Sequence, residues 1–252
     1  CQYYNDVIHY QHTSDTKTTS STSTSAECQQ CIQSKSINLF NWESEMKVYR
    51  FVTGPIQVNT YLAYDETKKG FLVDPGGFSY EITSVVEREG IDVAYIILTH
   101  GHADHIGGVA EFREKYPNAK VIAYVAEKEM LENPTLNSSF DIYRKAITVE
   151  PDRYVCDRET LTVGEMELTF VHTPGHSLGG MCILTPGYVF SGDTIFRASI
   201  GRTDFYGGSF DQLAKSIRER LYILPDQTLV LPGHMSETTI GFEKEHNPFV
   251  PN

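Results

Sequence analysis

The 252-residue chain is poor in cysteine, with five, in tryptophan, with one, and in cations, with 21 lysines and arginines against 33 acids. Each shortage excludes something. Cys1, Cys28, Cys31, Cys156 and Cys182 are an odd number scattered over a long chain. That excludes a small disulfide-framed module and leads us to expect a reduced, cytoplasmic setting. Cys28-Gln29-Gln30-Cys31 stands alone, with no second pair at zinc-ribbon spacing. A net charge of −12 argues against a nucleic-acid binder and against a surface that relies on anionic lipid. No apolar run approaches the roughly 18–20 residues of a membrane-spanning helix; the longest covers residues 93–98. Gly-x-Ser-x-Gly is missing and no cysteine lies in a histidine-bearing motif, so nucleophilic serine or cysteine catalysis is not expected. No internal repeat is visible.

What is present divides at Met46. Residues 13–25 hold eleven serines and threonines in thirteen positions, a tract with nothing to bury that cannot offset the entropy of ordering. Residues 1–45 are therefore expected to be a disordered or non-native N-terminal extension, with residues 46–252 forming one domain. From Met46 the pattern is α/β. Strands are expected over 48–53, 58–64, 71–73, 93–98 and 120–124, with helices over 79–89, 106–116 and 126–132. Ser79 and Gly90 read as the start and stop signals of the first helix. Residues 133–160 give no clear pattern. Strands over 166–171, 182–184, 189–190 and 229–231, with a helix over 210–221, repeat the same grammar. Two strand-rich halves, each with helices, suggest two packed sheets covered outside by helices.

The densest chemistry follows the apolar run 93–98, in Thr99-His100-Gly101-His102-Ala103-Asp104-His105. Four candidate ligands in six residues, at the end of a buried strand, can turn toward one point without breaking a ladder. Imidazole with carboxylate is the donor set of zinc, iron or manganese, and not of calcium or a thiolate-held structural zinc. Three more segments share the architecture of apolar strand, turn residue and metal-binding side chain: His172-Thr173-Pro174-Gly175-His176, Ser191-Gly192-Asp193-Thr194 and Pro232-Gly233-His234. Spacing does not choose between His172, which continues the parity of Met166, Leu168 and Phe170, and His176, which follows a turn.

Taken in order, these motifs resemble the metallo-β-lactamase superfamily, and residues 71–77 (Phe-Leu-Val-Asp-Pro-Gly-Gly) resemble its first motif. The segments Gly201-Arg-Thr-Asp-Phe-Tyr-Gly-Gly-Ser209 and 232–249 are similar to the short-form, type II glyoxalase-like hydrolases within it. The resemblance covers residues 46–252 and implies a four-layer αββα sandwich. It implies two divalent metal ions, zinc first and iron or manganese as alternatives. His100, His102 and His176 would hold one, Asp104, His105 and His234 the other, and Asp193 would bridge them. Asp104 and Asp193 are the residues on which catalysis is then expected to rest, and His172 becomes a neighbour. Asp74 and Thr99 are expected beside the ligands, Asp74 orienting an imidazole or the turn. Arg197, Arg202, Tyr206 and Lys244 are candidates to line the substrate pocket, with an Arg202–Asp204 buried ion pair as the alternative for Arg202.

Two metals about 3.5–4 Å apart can share a water and lower its pKa from about 15.7 toward 7. A thiolate leaves without protonation, so a small-molecule S-acyl thioester suits a site without an obvious general acid, with S-lactoylglutathione as the type substrate of the resemblance. The longer type II glyoxalases bind glutathione through a basic C-terminal extension. Here the residues after His234 offer only Lys244 and His246 as cations, so another thiol or a broader ester range stays open. Persulfide dioxygenases share the fold but use one iron and typically place Ala before the terminal His, where this chain has Gly233. A non-catalytic metal-binding interaction module is opposed by the full set of seven ligands. β-Lactamase activity and nucleic-acid processing fit less well.

Overall fold

The computed structural model describes residues 46–251. The expectations for residues 1–45, including the Cys28–Cys31 pair, lie outside them. Among the described residues no helix is long and apolar enough to cross a membrane.

The first half opens as a meander of β1 (Lys47–Thr53), β2 (Val58–Tyr64) and β3 (Lys69–Val73), followed by α1 (Tyr80–Glu89) and β4 (Asp92–Leu98). Two short helices, α2 (Ala103–Ile106) and α3 (Val109–Lys115), lead to β5 (Lys120–Tyr124). A 3-10 turn (Val125–Glu127), α4 (Lys128–Glu132), α5 (Ser139–Tyr143) and β6 (Arg153–Val155) complete this half. The six strands lie in the order β1-β2-β3-β4-β5-β6, antiparallel up to β3 and parallel from there on.

The second half contains β7 (Thr160–Val163), β8 (Met166–His172), β9 (Met181–Thr185), β10 (Tyr188–Gly192) and the small pair β11 (Ile195–Phe196) and β12 (Ser199–Ile200). It ends with α6 (Phe210–Ser216), a π-type turn (Ile217–Leu221), β13 (Leu229–Pro232), β14 (Thr238–Thr239) and α7 (Ile240–His246). Its main sheet runs β14-β13-β10-β9-β8-β7.

Side-chain parity stacks these sheets into four layers. On β2, Tyr61 and Ala63 face the second sheet while Leu62 and Tyr64 face the first helix layer. On β4, Ile97 points inward between the sheets and Ile96 and Leu98 point to the helices, which is why this strand reads as unbroken apolar sequence. Phe190 and Leu231 enter the same inter-sheet core from β10 and β13, whereas Val189 and Val230 on those strands pack toward Leu213, Ile217 and Leu221. The result is an αββα sandwich with the central core between two sheets.

Several local expectations are corrected. Ser79 occupies the N-cap of α1 but its side chain makes no capping bond, while Gly90 closes the helix in the left-handed conformation. The helix expected over 106–116 is two helices, because Gly107 and Gly108 lie against backbone: added Cβ atoms would meet Gly76 O at 2.5 Å and Gly77 C at 2.6 Å. The first of the two begins inside the histidine-rich loop itself. The segment 126–132 starts as a 3-10 turn, and 210–221 leaves α-geometry at Ile217. The pattern-poor region 133–160 contains α5 and β6, and β14 and α7 follow the last histidine motif.

Candidate metal centre

β3, β4, β8, β10 and β13 all end on one edge of the sandwich, and the segment that follows each end brings a side chain to one spot. β3 and β4 are parallel neighbours and deliver Asp74 and the 99–105 loop. β10 and β13 are parallel neighbours and deliver Asp193 and His234, their loops joined by Gly233 N–H donating to Gly192 O at 2.8 Å. The two sheets are tied at this edge. Met181 N–H donates to Thr99 O at 2.9 Å. Asn59 Nδ2 donates to Pro232 O and Met235 O at 2.9 and 2.8 Å, and Tyr61 Oη donates to Pro232 O at 2.8 Å.

Seven side chains converge there. His102 Nδ1 lies 2.9 Å from His176 Nε2, which lies 3.2 Å from His100 Nε2. Beside this group, Asp104 Oδ2 is 3.1 Å from His234 Nε2 and 3.4 Å from His105 Nε2. Asp193 sits between the two groups, its Oδ2 3.6 Å from His176 Nε2 and 3.8 Å from His234 Nε2, its Oδ1 3.3 Å from His105 Nε2. The structure thus brings together the residues His100, His102, Asp104, His105, His176, Asp193 and His234. His172 is outside the cluster: its ring stacks on Tyr124 at 4.3 Å and its Nε2 lies 3.0 Å from Leu178 O.

The hydrogen bonds behind the imidazoles settle which nitrogen faces the cluster bare. Asp74 Oδ2 accepts from His105 Nδ1–H at 2.9 Å and from the Thr99 hydroxyl at 2.6 Å, and Asp74 Oδ1 accepts from Thr99 N–H at 2.8 Å. The Thr99 hydroxyl, its proton committed, accepts from His100 Nδ1 at 3.1 Å. His176 Nδ1–H donates to Arg202 O at 2.7 Å. Nε2 of His100 and His176 therefore carries a lone pair toward the other donors. To aim its carboxylate this way Asp74 adopts a left-handed backbone, φ +50°, a conformation that Asp tolerates better than most residues but at a cost.

His100 Nε2 and His176 Nε2 face each other lone pair to lone pair, which is repulsive unless a cation lies between them. Burial would lower His105, but Asp104, Asp193 and Asp74 around it hold it well above the ordinary histidine range, so that position too is built for positive charge. His105 Nε2 and Asp193 Oδ1 are both buried with no hydrogen-bond partner, which is the mark of a site awaiting another ligand. The donor set, imidazole nitrogen and carboxylate oxygen, fits divalent transition metals: His100, His102 and His176 form one group of three and Asp104, His105 and His234 another, while a third, Asp74 with His100 and His105, is joined through the Asp74–His105 Nδ1 hydrogen bond. Burial and the neighbouring imidazoles hold His100 well below the ordinary histidine range and push His102 down to about 3. Burial alone would lift the Asp193 carboxyl, but His105, His176 and His234 hold it below the usual range.

The expected pocket residues are placed differently from one another. Arg202 forms a two-pronged pair with Asp204 at 2.9 and 2.7 Å, but this pair is exposed, not buried. Its guanidinium covers the Phe205 ring, which lies 5.1 Å from the His102 ring and so borders the cluster. Tyr206 is exposed and donates to Glu129. Arg197 lies over Phe242 and donates to Glu237 O. Lys244 is held by Asp226 and Leu224 O, on the segment that enters β13, whereas His234 leaves from the other end of that strand. It is thus drawn away from the cluster. Three contributors lie outside the residues that the sequence marks: the Arg202 carbonyl, Phe205 and Glu127, whose carboxylate accepts from Gly101 N–H between two of the histidines. A backbone carbonyl carries no sequence signal, and Glu127 sits 22 residues past the cluster in an unremarkable acidic stretch.

The model of the metallo-beta-lactamase superfamily matches residues 53–234. A probable metallo-hydrolase, YqgX of Bacillus subtilis (strain 168), is 37% identical over 208 residues, covering 81% of this chain and 98% of the relative. The hydroxyacylglutathione hydrolase GloC of Haemophilus influenzae is 32% identical over 198 residues, 77% of this chain and 93% of the relative. Among solved structures, BLEG-1, described as a B3 metallo-beta-lactamase, is 37% identical with a TM-score of 0.76, covering 81% of this chain and all of that one. TTHA1623 in a di-iron-bound form is 32% identical with a TM-score of 0.70, covering 79% and 98%.

Proposed function

The chain belongs to the metallo-beta-lactamase superfamily, and from that premise we propose that it is a dinuclear metal-dependent hydrolase of S-acyl thiols. The observation that carries the reading is the pair of three-residue donor groups with Asp193 reaching into both. Two divalent cations held there would lower the pKa of a shared water toward ~7 and polarise the scissile carbonyl.

The remaining work falls to the chain itself. His100, His102 and His176 hold one side of the centre, and Asp104, His105 and His234 the other. Asp74, Thr99 and the Arg202 carbonyl keep the ring nitrogens turned inward. Phe205, against His102, and Phe196, 6.0 Å from the His234 ring, give an apolar border on which acyl or thiol carbon can rest. Hydrolysis breaks the C–S bond: the acyl carbon takes the hydroxyl of water, sulfur leaves as thiolate, and the remaining proton of that water passes to solvent. That leaving group needs no general acid, consistent with a site whose ionisable groups are all committed to the centre.

Gly233 supports two metals over one. A Cβ there would press on Asp193 Oδ1 and come within 2.7 Å of His105 Cε1, driving the shared carboxylate off the second group. The likeness to GloC supports the thioester, and zinc is the first metal to try, with the di-iron form of TTHA1623 making iron the second. The likeness to BLEG-1 makes a β-lactam the second substrate class. The test is a panel of thioesters, phosphoesters and lactams with metal-replete protein beside a His102→Ala, Asp104→Ala double variant. Thioester turnover at least ~100-fold above the variant is expected. Turnover equal to the variant, or lactam turnover alone, overturns the proposal.

A further inference from the structure

We infer that Glu127 is a positioning residue for the three-histidine half of the centre, clamping the two loops that carry its ligands into one geometry. The inference rests on the metal-centre reading above and assigns a role to a residue outside the donor set. Glu127 ends the 3-10 turn after β5 and is 1% exposed. Its Oε2 accepts from Gly101 N–H at 2.8 Å, the backbone between His100 and His102. Its Oε1 accepts from the Ser177 hydroxyl at 2.5 Å and from Gly179 N–H at 2.7 Å, in the loop that carries His176.

The first loop hangs from β4 in one sheet and the second from β8 in the other, so no single ladder fixes their separation. A carboxylate with two acceptor oxygens, bonded within one residue of each ligand, does fix it. Charged acceptors make short, strong bonds to such donors, and the short distances here match that. A buried carboxylate is costly unless its oxygens are satisfied, and these three donors satisfy it.

Removing the clamp should let the His176 loop drift from the His100–His102 loop, weakening one metal site of the two. Outer residues that orient ligands are typically worth about 10–100-fold in metal affinity. In Glu127→Gln an amide nitrogen replaces one acceptor, so at least one of the three N–H or O–H donors meets another donor. Ser177→Ala removes a single bond and leaves the buried carboxylate its two backbone partners.

Metal-free wild-type protein and both variants would be titrated with Co2+, reading the number bound, the affinities and the d–d absorption bands, with circular dichroism of the metal-free forms as the fold check. The wild type is expected to bind two Co2+. Glu127→Gln should bind one of them at least ~10-fold more weakly with altered bands. Ser177→Ala should show a smaller loss, about two- to tenfold, as one hydrogen bond implies; it carries the test if the Gln variant does not fold. Variants that titrate like wild type with unchanged bands overturn the inference and leave the proposed function standing. A wild type that takes up no Co2+ overturns both.

Discussion

Asp74 carries more of the site than any ligand does by itself. One carboxylate takes a ring N–H from His105 and both the backbone N–H and the hydroxyl of Thr99, and through Thr99 it sets His100. In Asp74→Asn the left-handed backbone is still tolerated, but an amide N–H2 must face one of those donors. We expect about a 10–100-fold loss of metal affinity, measured by calorimetric titration, with about 1–3 kcal/mol of stability lost to the unsatisfied group. Cys182 is a second residue-level case. Burial pushes its thiol up to about 11, with the Thr173 and Thr194 hydroxyls pulling weakly the other way. The folded group therefore stays protonated and uncharged well above neutral pH, and exposed Cys156 should alkylate at pH 8 while Cys182 does not. Mass-spectrometric mapping after a short iodoacetamide pulse would check this; equal labelling of the two would contradict the burial.

Between elements, the inter-sheet core decides how accurately the two ligand-bearing edges meet. Phe190 on β10 stands edge-on to Tyr61 of β2 at 5.5 Å and to Phe71 of β3 at 5.7 Å. Phe190→Ala should cost about 3–5 kcal/mol, which at roughly 2–4 °C per kcal/mol for a domain of this size is a fall in Tm of more than about 6 °C. Tyr61→Phe keeps the ring and loses only the bond to Pro232 O, which Asn59 still satisfies. That change should cost about 0.5–1.5 kcal/mol. Thermal melts of both variants separate packing from the polar tie. Equal losses would mean that the Tyr61 hydroxyl does more at the β13 end than one shared hydrogen bond allows.

At the scale of the whole molecule, a metal pair here would cross-link the two sheets, since its ligands come from both. Binding to the folded state alone stabilises by about 2.7 kcal/mol at a free metal concentration 100 times Kd. Chelator should therefore lower the Tm of the loaded protein and added metal restore it, followed by scanning calorimetry; a Tm indifferent to both would mean that the cluster holds no metal.

Most of the elements and six of the seven cluster residues are legible in the chain because both signals are local. Alternating or unbroken apolar runs mark strands by which faces they must bury, and a ligand placed just after a strand end is a pattern of adjacent residues. His100 through His105 announce themselves in this way, as do Asp193 and His234. The short β14 and α7 after His234 give no such signal, since a two-residue strand and a two-turn helix are held by partners and not by periodicity. The choice of His176 over His172 was not readable from spacing. It was made by the turn at residues 173–176, which carries one imidazole across to His102 while parity keeps the other against Tyr124. Nor could the sequence say that Lys244 is drawn to Asp226, or that Glu127 reaches two loops from opposite sheets. The chain by itself determined which residues can bind and at which strand ends they sit, because that follows from neighbours along the backbone. Only the tertiary structure decided which of them meet, because distances between strand ends are set by the packing of one sheet on the other.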